Sequence, residues 1–205
     1  ALRALQNNPP LNNDLIFLFT DGEEVGLLGA QAFMDSHPWA EDIDLILNLE
    51  ARGVEGPVGM FETGEGNLAL VGELARTAPY PVAYSMLYDL YRLLPNSTDF
   101  SVFREAGVSG LNFAYAHGAH LYHTGGDNLE NLDLRSMQHT GSYVLPLLKS
   151  LGEQDLRLYG QERDHRDAAF FTLLPSLMVS YPISWNMPLT VAGMLLLLLA
   201  VVFAV

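Results

Sequence analysis

Cysteine is absent from the 205 residues. That excludes disulfides and thiolate metal sites, so any metal must be held by His and carboxylate. Basic residues are scarce as well: ten Lys and Arg stand against 24 Asp and Glu, a net charge of −14. This balance argues against nucleic-acid binding, which needs a basic footprint, and against adhesion to an anionic membrane through charge. The N-terminus has no signal-peptide pattern. ALRALQNNPPLNN reads as the last turns of a helix and a Pro/Asn loop, so the chain opens like part of something longer. No internal repeat is present, and the one low-complexity tract is a Leu run near the C-terminus. A Gly-x-Ser-x-Gly elbow is also missing, and Ser97 and Ser109 lack a nucleophile's surroundings.

Against these absences stands one dense stretch, Asp14 to Gly29, DLIFLFTDGEEVGLLG. Leu15 to Thr20 shows little alternation and is expected to be a central strand covered on both faces. It leads into an acidic turn with Asp21, Glu23 and Glu24. In open α/β sheets, ligands collect at the carboxyl ends of such strands. Carboxylates crowded there must be solvated, paired with cations or bound to metal. Two readings stay open: a solvated loop capping a helix, or a metal site.

The pattern predicts an α/β chain. A short helix is expected over Val25 to Met34, and a second buried strand over Ile43 to Leu49, which delivers Glu50 with Arg52 close by to pair with a carboxylate. A short strand is expected at Val58 to Glu62, an amphipathic helix at Asn67 to Ala78, and another strand where Val82 to Leu94 begins. Pro95 to Asp99 reads as a turn capping a helix over Phe100 to Glu105, followed by a strand at Val108 to Tyr115. Glu130 to Leu151 closes the domain as a helix, with His139 packed or exposed on it. The expected division is a domain over residues 1–152, a linker and juxtamembrane segment over 153–187, and a transmembrane helix over 188–205. That last segment is 18 residues without a charge, about the length that crosses a bilayer. Tyr181 and Trp185 suit the headgroup level, and the lack of Lys and Arg from Asp167 to Met187 favours a non-cytoplasmic flank.

Three of the six histidines, His117, His120 and His123, fall within one Gly-rich loop. Neutral imidazole is a common zinc ligand, although loop histidines can be merely solvated. Glu23, Glu24, Glu50 and His123 form a consistent set for zinc-assisted peptide or amide hydrolysis, which needs oxygen and nitrogen ligands and a carboxylate base beside the water. Tyr122 could donate to a developing oxyanion. A two-carboxylate glycosidase would leave the histidines idle.

The segments DGEEVGLLGA, NLEARG, STDFSVFREAGVSGLNFAY and YHTGGDNLENLD, in this order, resemble the co-catalytic di-zinc aminopeptidases. The likeness is greatest to the membrane-anchored branch that includes endoplasmic reticulum metallopeptidases and vacuolar membrane proteases. It covers roughly Asp14 to Leu151. It implies a zinc-exopeptidase-like three-layer α/β fold around a mixed sheet, here partial and followed by a transmembrane helix. It also implies hydrolysis of N-terminal peptide bonds with two zinc ions in the complete domain. Residue by residue, Glu23 becomes the general base acting on a metal-activated water. Glu24 and His123 become ligands of one zinc and Glu50 a ligand of the second, where many relatives carry Asp. Tyr122 stabilises the tetrahedral intermediate, with Asp99 and Asp127 in support. His117 and His120 match no family ligand. The implied partners are a peptide substrate and the membrane, with no nucleic acid, and the implied site of the domain is periplasmic, extracellular or lumenal.

One family element is missing. A His-x-Asp upstream of the acidic pair supplies one zinc ligand and the bridging Asp, and no His precedes Glu23 here. The expectation is therefore that these residues alone bind zinc weakly and are inactive. Alternatives on the same scaffold are a glutaminyl cyclase, a carboxypeptidase, or a non-catalytic membrane-anchored relative.

Overall fold

The structure, a computed structural model, describes residues 1–160 and 163–204. Gln161, Glu162 and Val205, which belong to the expected linker and span, lie outside the described residues. In chain order the elements are α1 (Leu2–Leu5), α2 (Leu28–Ser36), β1 (Leu45–Ala51), β2 (Gly59–Thr63), α3 (Leu68–Thr77), α4 (Ser85–Tyr91), α5 (Asp99–Glu105), β3 (Ser109–Tyr115), α6 (Leu134–Leu151), β4 (Ala168–Leu174), β5 (Leu177–Pro182) and α7 (Asn186–Ala204). Five short 3-10 turns join them.

The first three strands form a mixed sheet of order β1-β3-β2. β1 runs parallel to β3, with Asn48 opposite Asn112 and Glu50 opposite Ala114. β2 runs antiparallel to β3 and carries an irregularity between Met60 and Glu62. Apolar side chains leave both faces of this sheet, so helices cover both. On one face Leu111, Phe113 and Met60 pack with Leu70, Val71 and Leu74 of α3 and with Tyr143, Leu147 and Leu151 of α6. On the other, Ile46 packs with Ala30 and Phe33 of α2 and with Val102 and Phe103 of α5. This is the three-layer α/β arrangement expected of a sheet buried on both sides.

Local sequence explains the ends of the elements. Thr98 caps α5 through a reciprocal box with Ser101, so that helix starts at Asp99. Asp133 caps α6 by accepting from the Arg135 N–H, which moves the start of that helix from the expected Glu130 to Leu134. Leu134 and Met137 of α6 are exposed, whereas Tyr143 and Leu147 are buried. The Tyr143 hydroxyl bonds the Val58 and Tyr80 carbonyls at 2.9 and 2.7 Å and the Val82 N–H at 2.8 Å. His139 joins the same region, accepting from the Val58 N–H at 2.9 Å with its other ring nitrogen 3.1 Å from the Tyr80 carbonyl.

Three stretches differ from expectation. Leu15 to Thr20 is not a strand but an extended segment outside the sheet ladder. Its ends are fixed: the Asn13 N–H bonds the Gly152 carbonyl, and the Thr20 hydroxyl donates to Asp99. Its apolar side chains are not covered on both faces, and Phe19 is 90 % exposed. A strand requires a paired neighbour as well as propensity, and β1 is hydrogen-bonded to β3 alone among the described strands. The second stretch lies between the domain and the span. Ala168, Phe170 and Met178 of the antiparallel hairpin β4–β5 enter the main core, so this segment packs as part of the fold. In Val82 to Leu94 the expected strand reduces to isolated bridges, Met60 with Ala83 and Tyr84 with Phe171, before α4.

Candidate active site

The acidic turn is wound tightly. Gly22 (φ 70°) and Gly26 (φ 115°) flank a 3-10 turn over Glu23–Val25, and Leu27 follows at φ 59°. Three backbone bonds close it: Gly29 N–H to Asp21, Leu28 N–H to Gly22 and Leu27 N–H to Glu23. Left-handed geometry at both glycines is what such a reversal needs. The turn presents Glu23 and Glu24 to the carboxyl end of the parallel strands, where β1 delivers Glu50.

The second wall is the loop after β3. It is drawn back to the sheet by the Val54 N–H, which bonds the His117 carbonyl at 3.0 Å. Gly53 permits this approach, since a Cβ there would lie 2.1 Å from the His117 oxygen. The loop then brings His123, itself at φ 58°, against the acidic turn. Nε2 of His123 lies 2.7 Å from Glu24 Oε1. The Tyr122 hydroxyl donates to the same oxygen at 3.4 Å. The two rings stack at 3.8 Å, and the Arg52 guanidinium sits 5.7 Å above the Tyr122 ring.

Burial and charge crowding shift the acids of the site. Partial burial, then Glu50, Glu24 and Asp99, push the Glu23 carboxyl up to about 7, with His123 opposing them. Burial also raises Glu50; the bond it accepts from the Ala51 N–H at 2.9 Å pulls the other way, and Asp99 and Glu24 add to the rise. Tyr122 is raised by burial and then by Glu24 and Glu23. Asp99 is 6 % exposed. One of its oxygens accepts from Thr20, and the other, Oδ1, is buried with no hydrogen-bond partner.

Glu24, His123 and Tyr122 are thus in contact, Glu23 and Glu50 are coupled to them through charge, and Asp127 is an exposed loop residue. Among the described residues no group of three or more His, Asp and Glu side chains is arranged to hold a metal ion. The fit to a metal centre is therefore partial: one carboxylate–imidazole pair for one ion, with Glu50 apart from it. His117 supports the loop through its backbone. A cavity of about 560 Å³ opens elsewhere, lined by Glu62, Tyr88, Tyr91 and Arg104 and not by the acidic turn.

Beneath the site runs a buried polar network that sequence reasoning missed. Asn112, fully buried, donates to Glu62 and Thr98, each at 2.9 Å, and accepts from Asn48 at 2.9 Å. Arg104 completes it with an ion pair to Glu62. Its signal was present in the sequence, as one Asn inside each of two apolar strands.

Carboxylates and an imidazole gathered at the strand ends of an α/β fold are the residue types that metal-dependent hydrolases use. The chain belongs to peptidase family M28, which it matches over residues 1–148. It is 33 % identical over 186 residues to endoplasmic reticulum metallopeptidase 1 of Rattus norvegicus, covering 89 % of this chain and 21 % of that protein. It is 38 % identical over 141 residues to a vacuolar membrane protease of Candida tropicalis, covering 68 % of this chain and 15 % of that protein. The chain thus spans about a fifth or less of these relatives' length. Its fold is similar to that of BSAP, a zinc aminopeptidase from Bacillus subtilis, with a TM-score of 0.53 and 21 % identity, covering 75 % of this chain and 39 % of that one.

Proposed function

We propose that this chain carries the acidic half of a zinc-dependent exopeptidase centre of the aminopeptidase type, which hydrolyses N-terminal peptide bonds. The observation that carries the reading is the convergence of Glu24, His123 and Tyr122 beside a glutamate, Glu23, whose carboxyl is held near 7. A base with a pKa near the working pH is the best compromise between being deprotonated and being basic enough. Glu23 takes a proton from the attacking water and returns it to the leaving amine. Glu24 and His123 would hold one zinc and Glu50 would contribute to a second; the metal would supply Lewis-acid chemistry to the scissile carbonyl and the water. The Tyr122 hydroxyl, raised and so fully protonated at neutral pH, donates to the developing oxyanion. The acid cluster also suits a substrate's α-ammonium group.

The remaining ligands of the complete centre are those of the His-x-Asp element, which does not precede Glu23 in this sequence. The apolar span Ile183–Phe203, made of the Ile183–Trp185 turn and most of α7, anchors the domain on the non-cytoplasmic side of a membrane. The test is turnover of leucine p-nitroanilide, an N-acetylated analogue and an N-terminal Gln peptide by a longer polypeptide that includes a His-x-Asp. Cleavage of the free amino-acyl amide alone is expected, abolished by Glu23→Gln. Cyclisation of the Gln peptide, or cleavage of the blocked analogue at an equal rate, contradicts an aminopeptidase.

A further inference from the structure

An antiparallel hairpin with one face in the core ordinarily shows water a polar face. β4–β5 does not. Its inner residues Ala168, Phe170 and Met178 are buried. Away from them lie Phe171, with Val179 across from it in register, and the tip residues Leu173, Leu174 and Leu177, which are 58, 57 and 45 % exposed. Ala168 to Met187 contains no Asp, Glu, Lys, Arg or His. The apolar surface continues onto α4, joined to β4 by the Tyr84–Phe171 bridge, where Met86 and Leu90 are exposed. Exposed apolar residues neighbouring one another in this way, with Asp89 of α4 as the exposed charge among them, are the kind of feature that marks an interaction surface.

What covers it follows from connectivity. β5 ends at Pro182, and one three-residue 3-10 turn, Ile183–Trp185, leads into α7. Three residues reach about 10 Å at full extension, so the Pro182 end of the hairpin stays within about 10 Å of the start of α7. The 19 residues of α7 span about 28 Å, close to the thickness of the hydrocarbon core. Tyr181 and Trp185 fall at the start of that span, the level aromatic side chains favour. The uncharged outer face gives a protein partner no ion to pair with, whereas an uncharged lipid interface asks for none.

We propose that the outer face of β4–β5, extended by α4, is seated in the interfacial layer of the bilayer that α7 crosses. The seat rests on α7 being a span, and the experiment separates the two. Because the chain has no cysteine, single cysteines can be introduced as Leu173→Cys at the exposed hairpin tip, Glu41→Cys in an exposed turn between α2 and β1, and Leu196→Cys in α7. Each is labelled with an environment-sensitive NBD dye, and the 205-residue chain is reconstituted into phosphatidylcholine vesicles with and without doxyl-labelled lipid. The expected result is deep quenching at 196, a blue shift with quenching by shallow doxyl lipid at 173, and neither at 41, unchanged in 1 M salt. Water-like emission at 173, equal to that at 41, with 196 quenched, overturns the seat and leaves the span standing. Absence of quenching at 196 overturns both.

Discussion

A glutamate held near 7 among other acids stores repulsion that grows as protons leave. Glu23 titrates at about 7 in the folded chain against a reference of 4.5. The folded state therefore binds more protons than the unfolded one between those values, and stability falls as pH rises through that window. In chelator-treated protein, Glu23→Gln is expected to raise Tm at pH 8 and leave it unchanged at pH 4, as a thermal melt at each pH will show; an equal shift at both would contradict the charge account. The pair below the site makes a different case. Glu62 is 1 % exposed and is held by Arg104 and Asn112. Burial raises its carboxyl while those two partners oppose the rise. Removing one partner of a buried pair strands the other charge, so Arg104→Met is expected to cost about 3 kcal/mol in a urea titration. A cost under about 1 kcal/mol would show the pair to behave as an exposed one.

Among the elements, local signals and pairing partners contribute separately. The capping of α5 was legible in Pro95 to Asp99, and the cap itself is the Thr98–Ser101 box. Thr98→Ala loses it and a bond from Asn112, and is expected to cost about 1–2 kcal/mol in the same titration. β1, β2, β3 and α3 were likewise legible to within two residues, because apolar runs and turn residues bound them. Leu15 to Thr20 was misread because its composition describes a strand while the ladder depends on a neighbour. Its exposed Phe19 and the edge of β1 that no described strand pairs make a template for association. The chain in detergent is expected to self-associate, and Phe19→Lys to shift it toward monomer in sedimentation velocity. The hairpin was missed for a different reason: its uncharged run suits a membrane-interface level without revealing strands, while the turn at Pro175-Ser176 between Thr172-Leu173-Leu174 and Leu177-Met178-Val179 carries the hairpin signal. In the site, the Glu24–His123 contact joins residues 99 positions apart in sequence, a proximity that no local pattern encodes.

At the scale of the whole molecule, a chain of net charge −14 brings Glu23, Glu24, Glu50 and Asp99 within electrostatic reach of one another, and an apolar helix extends from the fold with none of its described residues buried. Under the proposed function these two features divide the labour: the acidic site would take metal and a substrate ammonium, and the apolar helix would hold the domain to a bilayer. Membership of family M28 and the metallopeptidase and membrane-protease relatives agree with that division. The central claim, that Glu24 and His123 share one zinc within an incomplete centre, is tested most directly by titrating zinc into the 205-residue chain and counting the metal retained through gel filtration. The account predicts weak, sub-stoichiometric zinc with no turnover, and affinity at least about tenfold lower in both Glu24→Gln and His123→Ala. Stoichiometric zinc retained with turnover that Glu23→Gln abolishes, or zinc binding unchanged in both variants, would contradict it.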